Sequence, residues 1–400
     1  GGTRFYQTIG EDEYPIPFND GHSIVYAHGK MLCDGSVTGD DITYSNEEGE
    51  LEKGEHHYGD NGLCDICFNA YGISTAQQLE DFSWDVQSGV AQNSECVLLA
   101  DIDLEGVEFE PIGFSPDNGD ELTSVPYCGA FDGQGHRIKN MILDYPERQF
   151  IGLFGAIGGG ASIKNVTIDS TCVVNGSQYI GGLIGGSISA GIITIENCGN
   201  EANVTGTGAN AAGIIGVNMG SRATYVIKNC YNTADIVGGK ESAVISGWLG
   251  DNARVTNCYN SGSVRGIEDG KPFARFGSAI FTNCYDINGQ SYISGIATKQ
   301  VTSGELCYLL NGSQSESPVF LQTIGEDMHP VFDAGHGVVY CVDGEFTNEE
   351  NGIEPIVISS NPEAVVTGVY NINGVRLDTP RHGLNIIRYS DGTVRKVFVR

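Results

Sequence analysis

The chain has 400 residues, of which 57 are glycine, and its 51 acidic and 21 basic side chains give a formal net charge of -30. A surface this acidic repels phosphate backbones, which argues against nucleic acid as a partner. Calcium would be an alternative use of the charge, and the acidic loop 115–122 is the best candidate, although it lacks the EF-hand spacing. No apolar run approaches the roughly 18–20 residues that span a bilayer, so no transmembrane segment is predicted.

One segment occurs near both ends of the chain. FYQTIGEDEYPIPFNDGHSIVY (5–26) returns as FLQTIGEDMHPVFDAGHGVVY (320–340). Asp12 and His22 of the first copy, which could suggest catalysis, are matched in the second copy. A catalytic pair is needed only once, so the duplication argues for a structural role.

The next stretch concentrates cysteine and histidine. Cys33 is followed by the adjacent residues His56 and His57, and then by Cys64 and Cys67 in a CxxC spacing. Three thiolates and one imidazole suit tetrahedral structural zinc, so we predict a zinc site whose fourth ligand is either histidine. Four protein ligands would leave no open position for a catalytic water. The alternatives are a redox-active CxxC pair and plain free thiols.

The stretch STAQQLEDFSWDVQSG predicts a helix. Leu79, Phe82 and Val86 fall on one of its faces. Ser74 or Thr75 is placed to cap its N-terminus. We expect the apolar face to cover the open end of the strands that follow, because an uncovered end invites edge pairing.

A short pattern of an apolar residue, a polar residue and Asn then recurs every 25 to 32 residues, as in IKNVTID, IENCGN, IKNCYN and VTNCYN. Such self-similarity indicates a solenoid, in which each repeat buries its apolar face against its neighbours. Asn tolerates the left-handed backbone of a bend and its amide can stack by hydrogen bonds, so we predict a structural ladder with buried thiols beside it. The ladder residues are Asn140, Asn165, Asn197, Asn229, Asn257 and Asn283, and the thiols are Cys198, Cys230, Cys258 and Cys284.

A second apolar run, bounded by glycines, precedes most of these motifs, for example FIGLFG, IGGLIGG and AAGIIG. The runs are short and show no helical period, which is typical of strands. Strands of successive repeats would pair in parallel about 4.8 Å apart. The sequence therefore predicts an all-β fold built on a single-stranded parallel β-helix. Cysteines stacked at about 4.8 Å are too far apart for disulfides, so we expect free thiols.

The motif YCGAFDGQGHRIKNMILD and the Gly-Leu-Ile-Gly runs resemble the GLUG-repeat proteins, which are adhesin-like bacterial cell-surface proteins common in Bacteroidetes and Firmicutes. The resemblance covers roughly residues 73–295 and implies a right-handed, pectin-lyase-like β-helix. Ser246 departs from the glycine spacing, and Phe68 replaces the glycine usual in the knuckles that precede such repeats. In this family a helix and a QTIGxD segment close a repeat region, so the N-terminal copy implies that another such region precedes residue 1.

The C-terminal strands VTGVYNINGVRL and GLNIIRYSDGTVRKVFVR resemble the sorting-type domains of secreted Bacteroidetes proteins. These features predict an order of six parts along the chain. The parts are an end piece of a preceding repeat region (1–30), a zinc-knuckle-like module (31–72), a capping helix and first strands (73–127), β-helix coils (128–300), a closing helix with the QTIGxD segment (301–345) and a C-terminal β-sandwich-like domain (346–400).

Two classes of function compete on this fold, because fold alone does not decide function. The first is a non-catalytic, adhesin-like protein that binds an extracellular glycan or a host or matrix protein, or serves as a spacer in a larger surface protein. The second is a polysaccharide lyase or hydrolase, for which the alignment offers the carboxylates Asp144, Asp169 and Glu201. No Arg or Lys cluster accompanies these acids in the alignment, so we favour binding by a monomer outside the cell or on its outer surface.

Overall fold

The computed structural model describes residues 5–17, 19–36, 42–116, 123–220, 223–289, 291–350, 365–371, 374–379, 381, 383–390 and 394–399. Residues 117–122, which are most of the loop considered for calcium, lie outside this set. Within the described residues the protein is almost entirely β-structure, with three short helices.

A small sheet opens the chain. Its strands are β1 (Tyr26–Met31), β2 (Ile42–Ser45) and β3 (Leu51–Lys53). β1 lies in the centre, antiparallel to β2 and parallel to β3. Cys33 follows β1 directly, so this sheet leads into the cysteine–histidine module.

The middle of the chain winds into a parallel β-helix. Its elements are β4 (Ala70–Ile73), α1 (Ala76–Gln87), β5 (Glu95–Leu98), β6 (Ile102–Asp103), β7 (Ala130–Asp132), β8 (Arg137–Lys139), β9 (Ile142–Asp144), β10 (Phe154–Ile157), β11 (Ser162–Lys164), β12 (Thr167–Ile168), β13 (Val173–Gly176), β14 (Ile180–Gly181), β15 (Ile184–Ser187), β16 (Gly191–Glu196), β17 (Gly199–Asn200), β18 (Asn203–Gly206), β19 (Ala211–Ala212), β20 (Ile215–Asn218), β21 (Ala223–Lys228), β22 (Tyr231–Asn232), β23 (Ile236–Val237), β24 (Ser246–Trp248), β25 (Ala253–Thr256), β26 (Tyr259–Asn260), β27 (Val264–Arg265), β28 (Ala279–Thr282), β29 (Tyr285–Asp286) and β30 (Ser294–Gly295).

These strands stack into faces that run along the β-helix. One eight-stranded face has the order β28-β25-β21-β16-β11-β7-β5-β4, and the next has the order β30-β29-β26-β22-β17-β12-β8-β6. A five-stranded sheet (β27-β23-β18-β13-β9), a four-stranded sheet (β10-β15-β20-β24) and the pair β14-β19 complete the turns. We call the two eight-stranded sheets the first face and the second face, in the order in which each coil enters them.

Stacked apolar side chains fill the interior. Ile163, Ile195, Ile227 and Val255 pair in register on the first face, and each is fully buried. Burying one such side chain contributes about 1.5–3 kcal/mol, and the same position recurs in every coil. The repeated apolar column is therefore the main source of stability for the fold.

Helix α1 covers the first coil, as its pattern predicts. Thr75 is the N-cap, and its side chain accepts a hydrogen bond from the backbone N–H of Gln78, whose own side chain closes a capping box. Leu79, Phe82 and Val86 are fully buried against the coil.

Two short helices and the second copy of the repeated segment cover the other end. The predicted closing helix is α3 (Glu305–Leu310), and a short helix that was not predicted, α2 (Thr298–Thr302), precedes it. Gly304, with a φ of 87°, separates the two. The strands β31 (Tyr340–Val342) and β32 (Glu345–Thr347) then form an antiparallel hairpin. Phe320 and Val339 of this copy share a buried cluster with Leu306 and Leu310 of α3.

The C-terminal strands form an antiparallel sheet of order β34-β33-β35-β36. The strands are β33 (Val366–Asn371), β34 (Arg376–Leu377), β35 (Gly383–Tyr389) and β36 (Val394–Val399). This agrees with an antiparallel C-terminal domain, of which the described residues supply one sheet.

The register corrects the first repeat of the sequence alignment. Ile163 pairs with Phe131 on the first face, and not in the column that contains Ile138. Ile138 instead pairs with Ile168 on the second face. The motif IKNMILD is therefore displaced by one face from IKNVTID, although the two look alike.

Asn140 consequently lies at a different bend from Asn165, and Gly133 occupies the ladder position of its coil. The backbone N–H of Gly133 donates to Lys164, as that of Asn165 donates to Glu196 in the next coil. Asn140 and Asn165 both have a φ of 54°. Bends at two different positions of successive coils thus use the same left-handed Asn, and the tripeptide alone does not distinguish them.

Candidate functional site

Cys33, His56, Cys64 and Cys67 meet at the base of the N-terminal module. One potential ligand atom from each lies within 4.8 Å of the others. Cys33 and Cys64 are buried, and the remaining two ligands are partly buried. The sequence therefore identified a group of side chains that lie close enough to bind one metal ion.

The separations fit a tetrahedral ion. The sulfurs of Cys33 and Cys64 are 3.6 Å apart, and Cys67 Sγ lies 3.5 Å from His56 Nδ1. A tetrahedron with zinc–sulfur bonds of about 2.3 Å has sulfur–sulfur edges of about 3.8 Å. All twelve cysteines, which lie within the described part of the chain, are free, so the CxxC pair is not joined by a disulfide.

The pKa values of the two buried thiols, Cys33 and Cys64, are shifted in opposite directions. Burial, and after it the contacts with Cys64 and Cys67, raise the pKa of Cys33 to about 11. Burial also acts to raise the pKa of Cys64, but the backbone N–H groups of Cys67 and Ile66 outweigh it and lower that pKa to about 6. A loop that stabilises thiolate with backbone N–H groups is suited to holding a cation.

The structure distinguishes the two adjacent histidines. His57 is largely exposed, and its Nδ1 lies 2.9 Å from Asp65 Oδ2, away from the thiols. His56 directs Nδ1 at Cys67 and places Nε2 3.7 Å from the carboxylate of Glu95 on β5. Metal-binding histidines commonly direct their second nitrogen at a carboxylate, which fixes the orientation of the ring.

This cluster is attached to the first coil of the β-helix. Leu63 forms an isolated antiparallel bridge with Tyr71 of β4, and the ring of Tyr58 lies where a side chain on Gly72 would be. A metal ion here would join the N-terminal sheet to the start of the β-helix. Its chemistry would be structural, because four protein ligands complete the tetrahedron.

Five of the six predicted asparagines form a hydrogen-bonded chain at one bend, which we call the outer ladder. Each side-chain Nδ2 donates to the side-chain Oδ1 of the asparagine in the preceding coil at 2.7–3.0 Å. The chain runs Asn283, Asn257, Asn229, Asn197, Asn165 and ends on Asp132 at 2.8 Å. All five have a φ of 52–54°, which Asn adopts more readily than most residues. Asn140 instead donates to Asp103 at 2.7 Å.

The cysteine after each of the last four asparagines is buried, and its thiol lies against backbone. In Cys198, Cys230 and Cys258 the sulfur is 3.3 Å from the carbonyl oxygen two residues earlier. Cys284 makes the same contact at 3.4 Å. Burial raises the pKa of Cys198, Cys230 and Cys258 well above the usual thiol value. Such thiols are poor nucleophiles and act as small hydrophobes that satisfy a carbonyl at the bend.

Sequence reasoning missed a second, fully buried ladder. Asn200 donates to Asn232, Asn232 to Asn260 and Asn260 to Asp286, at 2.8–2.9 Å. All four residues are 0% exposed. The sequence contains a signal for this ladder, because CGN, CYN, CYN and CYD each end in one of its four residues. Each buried side-chain amide also donates to the backbone carbonyl oxygen two residues later, for example Asn232 to Ala234.

The three candidate carboxylates do not share one column. Asp144 pairs in register with Asn175 on the five-stranded sheet and accepts a hydrogen bond from its side chain at 3.1 Å. Asp169 and Glu201 lie together on the second face. The alignment therefore wrongly placed Asp144 with the other two.

Arg137 lies between Asp169 and Glu201. Its guanidinium donates to Asp169 at 2.9 Å and to Glu201. This corrects the expectation that no basic residue accompanies these acids. The three residues come from three successive coils, and they lie together only because of the register between those coils. Burial opposes the ionised state of Asp169, but bonds from Thr171 and Arg137 leave its pKa below the usual value.

A groove runs beside this cluster, between the outer ladder and residues 319–336, which include most of the second copy. Its wider part, about 560 Å³, is lined by Asp132, Gln134, Gly135, Asn165, Asn197, Val319 and Phe332. Its narrower end, about 110 Å³, includes Arg137, Tyr231, Asp333 and His336. The groove is a concave surface that combines amides, carboxylates and apolar side chains, as binding sites commonly do.

Comparison with known proteins gives partial likenesses. No protein-family model matches the chain. It is 30% identical over 220 residues to Halomucin of Haloquadratum walsbyi, which covers 52% of this chain and 2% of that protein. It is 30% identical over 125 residues to a provisionally named Gly-rich membrane protein of Evansella cellulosilytica, 29% of this chain and 13% of that protein. The chain therefore spans a small part of the curated relatives it matches.

A solved structure superposes on part of this chain. The crystal structure of a provisionally named immunoglobulin A1 protease from Bacteroides ovatus superposes with a TM-score of 0.43 and 19% identity, over 66% of this chain and 92% of that chain. Among the described residues, no helix is both long and apolar enough to cross a membrane.

Proposed function

We propose that this chain is a non-catalytic, adhesin-like part of a secreted or cell-surface protein, and that it binds an extracellular glycan or a host or matrix protein. The observation that carries this proposal is the open groove beside the outer ladder, whose lining suits binding. The names of the two sequence relatives suggest surface association. A GLUG-type family membership and a sorting role for the C-terminal sheet are parts of the same proposal.

The carboxylate cluster supports binding over catalysis. A general acid needs a carboxyl group that holds its proton near working pH, whereas the pKa of Asp169 is lowered. Glu201 accepts from Arg137 and, at 2.8 Å, from the hydroxyl of Tyr231. Arg137 thus occupies the space between the two carboxylates that a sugar ring would need.

The enzyme alternative retains one observation in its favour. Arg137 and Tyr231 line the narrow end of the groove, and Arg137 bonds to Asp169 while both bond to Glu201. The guanidinium of Arg137 and the hydroxyl of Tyr231 could stabilise a developing negative charge if a substrate displaced Arg137 from the two carboxylates.

A binding array and a degradation screen distinguish these functions. Wild-type protein is applied to arrays of glycans and of extracellular matrix proteins, and is incubated with polysaccharides whose reducing ends are then assayed. We expect retention on at least one array and no new reducing ends. Depolymerase activity that Asp169→Asn and Glu201→Gln abolish, with an unchanged melting temperature, would replace the adhesin proposal with the enzyme alternative.

We further propose that the Cys33–His56–Cys64–Cys67 cluster binds structural zinc. The ligand set, the separations and the stabilised Cys64 thiolate support this choice. Metal analysis of protein purified without chelator should give about one zinc per chain, and about none for Cys64→Ser. His57→Ala should retain the zinc, whereas its loss from that variant would contradict the assignment of His56 as the ligand.

A further inference from the structure

The two walls of the groove differ in chemistry. The wall on the β-helix consists of Asp132, Gln134 and the amides of Asn165 and Asn197. The opposite wall consists of Phe332 from the second copy of the repeated segment and Val319, which directly precedes that copy. A ligand that fits must offer hydrogen-bonding groups on one side and a weakly polar surface on the other.

The amide wall retains hydrogen-bonding capacity. The side-chain nitrogen of Asn165 donates once, to Asp132, and its oxygen accepts once, from Asn197. An amide group has two N–H donors and two acceptor lone pairs, so Asn165 and Asn197 can each still donate and accept one more bond. These positions repeat with the strand spacing of about 4.8 Å along the groove.

Aromatic packing fixes the position of Phe332 in the apolar wall. The ring of Phe332 packs against Tyr231 and Phe320, with centroids 5.4 and 5.0 Å away. Val319 beside it is 40% exposed. A preformed apolar surface of this kind binds at a lower ordering cost than a mobile one.

Charge narrows the class of ligand. Among the described residues that line the wider part of the groove there is no lysine or arginine, and the carboxylate of Asp132 is present. Arg137, at the narrow end, is already paired with Asp169 and Glu201. With a chain charge of -30, this surface repels sulfated and uronate-rich polymers.

We propose that this groove binds a neutral glycan chain, whose hydroxyl groups contact the Asn165–Asn197 amides and Gln134 while its C–H faces lie on Phe332 and Val319. Hydroxyl groups both donate and accept, which matches the remaining capacity of the amides. The inference rests on the proposed binding function and assigns it a site and a ligand class.

The test compares groove variants with a matched control elsewhere on the β-helix. Wild-type protein is first applied to neutral oligosaccharides of glucose, xylose, mannose and galactose, beside heparin and polygalacturonate. The neutral oligosaccharide with the strongest signal is then titrated against Gln134→Ala, Val319→Arg and the control Ile280→Arg. Ile280 is an exposed apolar residue on β28, so its substitution adds the same charge outside the groove.

We expect Val319→Arg and Gln134→Ala to weaken binding about tenfold or more, and Ile280→Arg to bind as the wild type does. Equal affinity of the groove variants and the control, or a preference for heparin or polygalacturonate, would overturn this inference and leave the proposed binding function in place. Retention on matrix proteins alone would do the same. Retention on no array at all would overturn both.

Discussion

The two copies of the repeated segment have the same internal hydrogen bonds. In the first copy, Asp12 accepts from the backbone N–H of Thr8 and from the ring of His22 at 2.8 Å. Asn46 holds the ends of this copy together, because it accepts from Ile9 at 2.7 Å and donates to Gln7 and Ile24.

The second copy repeats these contacts with Asp327, Thr323 and His336. Asn348 accepts from Ile324 at 2.7 Å and donates to the carbonyl oxygens of Gln322 and Val338. The equivalence of the two sets shows that the segment determines its own local shape through short-range hydrogen bonds.

Their surroundings differ completely. Phe320 is 0% exposed in the cluster that closes the β-helix, whereas Phe5 at the same position of the first copy is 59% exposed. Gln322 is buried and donates to Val301 of α2 at 2.8 Å. The comparison separates two contributions: local polar contacts define the shape of the segment, and apolar burial determines how strongly a copy is held.

Removal of the metal should have the largest effect. This effect should be confined to the N-terminal region that contains the first copy. The binding free energy of a structural metal is also folding free energy, so its loss leaves the module around Cys33 and Cys64 without its centre. Hydrogen exchange with and without a zinc chelator should show protection lost across β1–β4 and kept in β31–β32.

A control variant separates metal loss from general thiol chemistry. Cys64→Ser should reproduce the effect of the chelator, and Cys341→Ser, which changes an exposed thiol, should not. Protection in β1–β4 that survives the chelator would contradict a structural role for the metal.

The next effect in size concerns the two equivalent phenylalanines. Phe320→Ala should destabilise the closing end of the β-helix by about 3–5 kcal/mol, because it leaves a cavity in a buried cluster. Phe5→Ala should change stability by about 0.5 kcal/mol or less, because its ring is exposed. Denaturant titration of the two variants beside the wild type measures both values. A comparable loss for Phe5→Ala would show that the first copy is covered in solution.

Much of this architecture could be predicted from the sequence, because the apolar column and the left-handed Asn recur together in five successive coils. The metal ligands were also accessible, since the CxxC spacing and an upstream Cys and His are local signals. The sequence did not decide between His56 and His57 as the fourth ligand, because the side chains of adjacent residues on an irregular segment can point in either direction.

The missed features depend on register or on burial. The Arg137–Asp169–Glu201 cluster draws one residue from each of three successive coils, and an error at the first repeat separates them in the alignment. The buried ladder was overlooked because Asn is mostly an exposed residue. Asn232 and Asn260 are buried at low cost because a neighbouring coil supplies a partner for each amide.

Asn46 and Asn348 make equivalent hydrogen bonds in the two copies, so their substitution should have similar effects. These variants test the polar contribution to the comparison. Asn46→Ala and Asn348→Ala each remove three hydrogen bonds that close a copy on itself. We expect each variant to lose about 1–3 kcal/mol of local stability, measured as hydrogen-exchange protection of its own hairpin. If Asn348→Ala were silent and Asn46→Ala were not, burial alone would hold the second copy, and the local bonds would be redundant there.

The smallest effect is a pH dependence of the first copy. The pKa of Asp12 is lowered from the ordinary value of 3.8, first by its bond from the backbone of Thr8 and then by His22, while burial acts against both. A carboxyl group whose pKa is depressed on folding stabilises the fold above its unfolded pKa, and this contribution is lost as the pH falls through the folded pKa. Hydrogen exchange of β1 and β2 should therefore lose protection as the pH falls below about 4, and Asp12→Asn should remove this dependence. Because the apolar cluster around Phe320 does not titrate, β31 and β32 should keep more of their protection over the same range, whereas an equal loss in both hairpins would show that the polar contacts control both copies.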